Sequence, residues 1–391
     1  TLIEALPYDR PNTSMAKFPL CPACLREYDD PLNRRFHAEP VACPVCGPHL
    51  SFVVPGRDPV TDDAAAVEAA VDVLRTGRVL AVRGIGGYHL LCDAPDEAAV
   101  CRLRERKRRP DKPLAVMFPQ RGASGLEAAG EELQIGPVEQ AALTDPARSI
   151  VLVPRRSDGR IAPSVAPGLG EIGAFLPYSP LHHMLLTGFG GPVVATSGNV
   201  SGEPVLTGPA EAQARLVAVA DAFLHHDRPI VRPADDSVVR VVAGAARPIR
   251  LGRGLAPLEL ELPAALPEPV LAVGGHLKLT VALAWGRRIV ISPHVGDMGT
   301  LRSEQVFEQV AGDLQRLYDV HATRWLCDAH PGYTTTRWVQ GTGRPHETVL
   351  HHLAHASAIV TEHAVDEAAI VFAWDGVGYG GDGTLWGGET F

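Results

Sequence analysis

Cys21-Pro22-Ala23-Cys24 and Cys43-Pro44-Val45-Cys46 open the reading of this chain, as C-x2-C-x18-C-x2-C. Two thiolate pairs at that spacing can close a tetrahedral four-cysteine zinc site. Both pairs read C-P-x-C and lie in a Pro-rich, weakly periodic stretch over residues 1–57. Disulfides or unrelated cysteines are the alternative, and the doubled motif argues against them. Four thiolate ligands leave no open coordination position, so the Zn2+ is expected to be structural. The chemistry should then lie downstream, in a multidomain protein.

The rest of the composition fits that view. At 391 residues the chain can hold roughly two or three domains. Hydrophobic content of 46% and charged content of 21% are ordinary globular values, so the zinc is needed only for its own segment. A net charge of −9 argues against a chain whose main partner is duplex nucleic acid. Cys92, Cys101 and Cys327 are isolated and form no disulfide framework, which with a zinc motif points to a reducing cytoplasmic home. No signal-peptide pattern is visible, and no apolar run reaches about 18 residues, so no membrane partner is expected. The chain starts at Thr1 without a methionine and stops at Phe391 amid glycines, and it reads as part of something longer.

Periodicity divides the remainder. Residues 63–75 and 98–107 have helical spacing, whereas 79–82, 114–117, 150–153 and 193–195 are short apolar runs suited to buried strands. This is α/β character over 58–255. Residues 256–269 form a Pro-rich connector, and a new pattern begins at 270. Strands are expected over 270–273, 279–285 and 288–292, and a long helix over 303–318.

Three features carry chemistry. Arg102, Arg104, Arg106, Lys107, Arg108, Arg109 and Lys112 put seven cations in eleven residues. A solvated helix face is the ordinary explanation. Here the run ends in Arg-Pro-Asp-Lys-Pro before an apolar segment, which brings Lys107, Arg109 and Lys112 to a helix–strand junction able to face a polyphosphate. The second feature is Thr196-Ser197-Gly198-Asn199, a hydroxyl-, amide- and glycine-rich loop after an apolar strand. A surface turn is its alternative. Arg232-Pro-Ala-Asp-Asp-Ser-Val-Val-Arg240, followed by Arg250-Leu-Gly-Arg253, reads more simply as a strand with charged flanks.

The third feature is His351-His352-Leu353-Ala354-His355. His351 and His355 stand at i and i+4, able to share a metal on one helix face. Asp375 is expected at a strand end before the glycine turn of Asp375-Gly-Val-Gly-Tyr-Gly-Gly-Asp-Gly383. Two imidazoles and a carboxylate form a familiar metal set.

Lys107-Arg108-Arg109-Pro110-Asp111-Lys112-Pro113-Leu114, Tyr88 within Gly86–Ala94, and Ser197-Gly198-Asn199 resemble the signatures of YrdC-type domains, which form carbamoyl-adenylates from ATP. The resemblance implies that Lys107, Arg109 and Lys112 neutralise phosphates, with Mg2+ accompanying the ATP. It also implies that Tyr88, Ser197, Asn199, Ser237, Arg240 and Arg250 surround the nucleotide and its acyl product. Gly274-Gly275-His276-Leu277-Lys278, Ser292-Pro293-His294-Val295-Gly296-Asp297 and Asp328-Ala329-His330-Pro331-Gly332-Tyr333 resemble carbamoyltransferases with an actin-like (ribonuclease H-like, ASKHA) domain. That resemblance implies a second metal, Fe or Zn, at His351, His355 and Asp375, with a further family ligand downstream.

Taken in order, these modules resemble the hydrogenase-maturation carbamoyltransferase family HypF. Leu6-Pro7-Tyr8-Asp9-Arg10-Pro11-Asn12-Thr13-Ser14-Met15 and Arg34-Arg35-Phe36-His37-Ala38 are its most specific segments. The expected layout is 1–15 the tail of a preceding zinc module, 16–57 the four-cysteine module, and 58–255 a YrdC-like twisted α/β sheet domain. A linker over 256–269 and a partial actin-like domain over 270–391 follow. The resemblance implies carbamoyl phosphate or carbamate as donor and a HypE-type protein thiol as acceptor, with adenylate formation or binding as the most this part of the protein can do alone. Three alternatives remain. A small-molecule O-carbamoyltransferase would generally lack the zinc module. A tRNA-modifying relative would require threonine. A non-catalytic zinc interaction module would bind no nucleotide.

Overall fold

The computed structural model describes residues 2–391, folded as two compact units. The first runs through Ser201 and again over Val205–Leu255, and the second comprises Gly202–Pro204 and Ala256–Phe391. Among the described residues, no helix is long and apolar enough to cross a membrane.

The first unit is built on ten strands: β1 (Leu50–Val53), β2 (Leu80–Arg83), β3 (Tyr88–Asp93), β4 (Ala115–Met117), β5 (Ile150–Pro154), β6 (Glu171–Phe175), β7 (Val193–Ser197), β8 (Ala222–His226), β9 (Val238–Val242) and β10 (Ala245–Arg250). They pair in the order β1-β8-β2-β3-β7-β4-β6-β5-β9-β10, with parallel and antiparallel neighbours mixed. The central strands are apolar at successive positions because both faces of the sheet are covered. Ala81, Tyr88, Leu90 and Cys92 face one core cluster, while Leu80, Val82 and Leu91 face the other.

Helix α1 (Pro22–Asp29) belongs to the cysteine-rich segment. Helix α2 (Asp63–Arg75) is capped by Asp62, which accepts from Ala65 N, and it buries Ala66, Ala70, Val71 and Leu74 in the second cluster. Helix α3 (Glu97–Lys107) starts at the Asp96 cap and buries Ala99, Val100 and Leu103 in the first. It stops at Arg108, held in the left-handed region at φ 51°. The expected helices and strands of this unit lie within one or two residues of these bounds.

Residues 2–18 pack against the four-cysteine segment. Arg10 is buried and donates to the carbonyls of Glu39 (2.6 Å), Val41 (2.8 Å) and Phe18 (2.7 Å).

The second unit carries β11 (Leu258–Glu261), β12 (Val270–Ala272), β13 (Ala282–Trp285), β14 (Arg288–Ile291), β15 (Arg324–Asp328) and β16 (His346–Val349) in the order β11-β14-β13-β12-β15-β16. Three antiparallel strands followed by parallel β12–β15–β16 give a ribonuclease H-like sheet. The long amphipathic helix over Leu301–Tyr318 buries Val306, Phe307, Val310, Ala311 and Leu314 against it. The Pro-rich connector expected over 256–269 is corrected here. Leu258-Glu-Leu-Glu261 alternates with period two, pairs with β14 and becomes the edge strand of this sheet. A helix over His351–Glu362 and the hairpin β17 (Phe372–Tyr379) and β18 (Leu385–Thr390) end the described chain.

Candidate functional site

Cys21, Cys24, Cys43 and Cys46 bring their sulfurs within 4.8 Å of one another. None is in a disulfide. The Cys21–Cys43 and Cys43–Cys46 sulfurs lie 3.8 and 3.7 Å apart. A tetrahedron with Zn–S bonds of about 2.3 Å has edges of about 3.8 Å, so the four thiols fit a structural zinc. Pro22 opens α1 directly after Cys21, and Gly47 N donates to Cys43 O at 2.8 Å, so each pair sits on its own tight turn.

In the same unit, Lys107 ends α3 and is only 6% exposed. Its Nζ donates to Ser197 O (2.6 Å), Asn199 O (3.0 Å) and Asn199 Oδ1 (2.8 Å). Ser197 Oγ donates to the same Asn199 Oδ1 at 2.9 Å. Three acceptors suit the three N–H donors of an ammonium. Burial, reinforced by Arg109, nevertheless pulls the amine down to about 7, with Asp235 opposing. Gly198 makes the loop possible. Its N–H donates to Tyr88 O at 2.6 Å, and a Cβ there would lie 2.5 Å from Tyr88 Cβ.

Arg109 follows the helix stop. Its guanidinium donates to Lys112 O (3.3 Å) and Pro113 O (2.8 Å), shaping the turn, while Lys112 stays exposed. Arg104 is buried and spends its donors on the carbonyls of Ser164, Val165, Arg109 and Pro110, which fixes the same turn. Arg250 and Arg104 both repel the Arg109 charge, and Asp235 attracts it. The region therefore holds more cations than carboxylates, as an anion site requires.

Three residues implied for nucleotide contact are placed otherwise. Tyr88 is 0% exposed, with its hydroxyl held 2.6 Å from His225 Nδ1 inside the core, while its carbonyl and Cβ meet the loop at Gly198. Ser237 is fully buried, accepting from Gly252 N (2.9 Å) and donating to Arg253 O (3.0 Å). Arg240 is exposed and pairs with Glu171 at 3.0 Å. Strand alternation and burial decide these positions. Arg250 is half-buried, and its Nε donates to Asp236 O at 3.1 Å.

In the second unit, His351, His355 and Asp375 present one ligand atom each within 4.8 Å of one another. His351 Nε2 and His355 Nε2 lie 2.9 and 3.6 Å from Asp375 Oδ2. His351 Nδ1 meets Asp328 Oδ2 at 2.7 Å, an orientation that leaves Nε2 for a metal. Asp328, missed as a functional residue, is buried, and its Oδ1 accepts from His330 N at 2.8 Å. The expected strand end at Asp375 is corrected. Asp375 lies inside β17, where pairing jumps from Trp374↔Gly388 to Gly378↔Trp386. The resulting bulge aims its carboxylate at the histidines, and glycine at 378 is required because a Cβ would lie 2.6 Å from His352 Nδ1.

Known families match these same segments. The family described as HypF finger matches residues 20–53, the YrdC-containing family described as telomere recombination matches 72–252, and HypF Kae1-like domain matches 265–362. Carbamoyltransferase HypF of Rhodobacter capsulatus is 42% identical over 400 residues, covering 100% of this chain and 52% of that protein. The chain belongs to the HypF family. Carbamoyltransferase HypF of Synechocystis is 44% identical over 100% of this chain and 50% of its own length. A crystal structure of full-length HypF in the phosphate- and nucleotide-bound form matches with a TM-score of 0.93 at 40% identity, over 100% of this chain and 50% of that one. The chain thus spans about half the length of the HypF relatives it matches. A threonylcarbamoyl-AMP synthase of Escherichia coli is 33% identical over 151 residues, covering 36% of this chain and 73% of that protein.

Proposed function

We propose that this chain carries the adenylate-forming part of a HypF-type carbamoyltransferase. In this reading Lys107, Arg109 and Lys112 neutralise the phosphates of ATP, Ser197 and Asn199 hold the acyl-adenylate, Arg250 lies near the nucleotide, and Mg2+ arriving with ATP would supply further charge neutralisation. A carbamate oxygen, derived from carbamoyl phosphate, attacks the α-phosphorus. The bond from that phosphorus to pyrophosphate breaks, and pyrophosphate leaves with the electron pair. Fixed cations stabilise the charge that develops on the phosphoryl oxygens. The single observation that supports this most is the Lys107 ammonium seated on both Ser197 and Asn199, two motifs separated by some 90 residues.

For the whole protein we infer transfer of the carbamoyl group to the C-terminal cysteine thiol of a HypE-type partner, toward the cyanide ligand of nickel–iron hydrogenase. His351, His355 and Asp375 would hold a first-row metal, which would supply Lewis-acid polarisation of a carbonyl. Asp328 would keep the His351 ring oriented. The test is ATP–pyrophosphate exchange with carbamoyl phosphate, carbamate, bicarbonate or L-threonine as the acid source. Exchange supported by a one-carbon donor and abolished in Lys107→Ala and Asn199→Ala is expected. Exchange that needs threonine would assign the site to threonylcarbamoyl-adenylate instead, and nucleotide binding without exchange would remove the catalytic claim.

A further inference from the structure

Asp236 is 8% exposed, and a buried carboxylate is costly unless it is paired on both oxygens. Its Oδ1 accepts from Arg253 Nε at 2.9 Å, and its Oδ2 meets His89 Nε2 at 3.1 Å. Tyr178 closes the cluster. Its hydroxyl lies 3.4 Å from His89 Nε2, and its ring centroid lies 3.5 Å from the Arg253 guanidinium carbon. Burial pushes the carboxyl up, but the hydrogen bonds and charges of His89 and Arg253 outweigh it and hold the group ionised.

The two partners join Asp236 to two different segments of the candidate adenylation site. In one, Arg253 N donates to Asp235 O at 2.7 Å, and Asp236 O accepts from Arg250 Nε at 3.1 Å. A Cβ at Gly252 would lie 2.3 Å from Asp235 O, so these two segments touch along their backbones. This part carries Asp235 and Arg250, the charges that act on Arg109, and Asp235 acts on Lys107 as well. At the other, His89 stands in β3 directly across from Ser197 of β7. Ser197 O accepts from the Lys107 ammonium.

We propose that Asp236 is a positioning residue that locks the Asp235–Arg250 part of the site to the Ser197–Asn199 part, through Arg253 on one arm and His89 on the other. Both its oxygens are occupied by protein donors, so it acts on the nucleotide pocket only through those neighbours. Its effect on catalysis rests on the adenylation reading, whereas the mechanical link does not.

The experiment compares wild-type chain with Asp236→Ala, Asp236→Asn and His89→Leu by amide hydrogen exchange and by pyrophosphate exchange well below the melting temperature. Asp236→Ala should lose protection in both 196–199 and 250–254. It should lower kcat about 100-fold, the scale of an ångström misplacement, with a smaller change in KM for ATP. Asp236→Asn, which can still bond Arg253 and His89, should recover most of the rate. His89→Leu cuts one arm and should deprotect 196–199 while 250–254 stays protected, and it serves if Asp236→Ala does not fold. Loss of protection confined to 250–254 in Asp236→Ala, equal loss in both segments in His89→Leu, or a wild-type kcat in folded Asp236→Ala would overturn the proposal. A wild-type chain with no exchange activity for any donor would sink the adenylation reading alone, and the protection pattern would still decide the link.

Discussion

Lys107 is the residue on which most depends. Buried and beside Arg109, its ammonium sits near 7 instead of the ordinary 10.5. Between those values the unfolded chain binds more protons than the folded one, so this group's contribution to stability rises with pH. Relative to a Lys107→Met variant, which also strips Ser197 O and both Asn199 oxygens of their donor, the wild-type chain should therefore gain stability as pH rises from 7 to 10. Denaturant melts across that range check the sign. An anionic ligand favours the ammonium, so ATP binding at pH 8 should take up protons, visible as a calorimetric heat that varies with buffer ionisation enthalpy. At Gly198 the constraint is steric. Gly198→Ala forces a methyl against Tyr88 and should cost about 1–3 kcal/mol, read in the melting midpoint, together with loss of nucleotide affinity.

Among the elements, those specified by local pattern were legible and those specified by pairing were not. Asp62 and Asp96 cap α2 and α3 next to their own apolar stripes, so both helices could be read with near-correct ends. The Leu-Glu-Leu-Glu of β11 was hidden among prolines, although its period-two alternation was present in the sequence. The bulge in β17 was not legible, because it depends on the register with β18. The N-terminal segment gives a direct test. Arg10→Ala strips three carbonyls, those of Glu39 and Val41 in buried hydrogen bonds, of their charged donor and should destabilise the cysteine module by about 3 kcal/mol. Faster zinc release to a chelator at unchanged sheet content would show it.

For the molecule as a whole, the two compact units predict separable chemistry. Asp328→Ala should weaken metal binding at His351, His355 and Asp375 about 10–100-fold, measured by calorimetry with zinc, because the His351 ring loses its orienting carboxylate. Pyrophosphate exchange should be unchanged in that variant. A parallel loss of exchange would contradict the separation.

What the sequence determined by itself is the chemistry written at short range. It specified the four-cysteine zinc spacing, the Lys-x-Arg and Ser-x-Asn motifs, the histidine pair and the α/β modular fold. Local periodicity, capping and ligand spacing need no knowledge of distant partners. Tertiary structure alone decided that Tyr88 and Ser237 are spent inside the core, and that Arg240 pairs with Glu171. It alone placed Asp236 against His89, 147 residues away, and Asp328 behind His351, 23 residues away. The physical reason is that a buried charge is tolerated only where the fold supplies its partners, and strand order, not local sequence, brings those partners together.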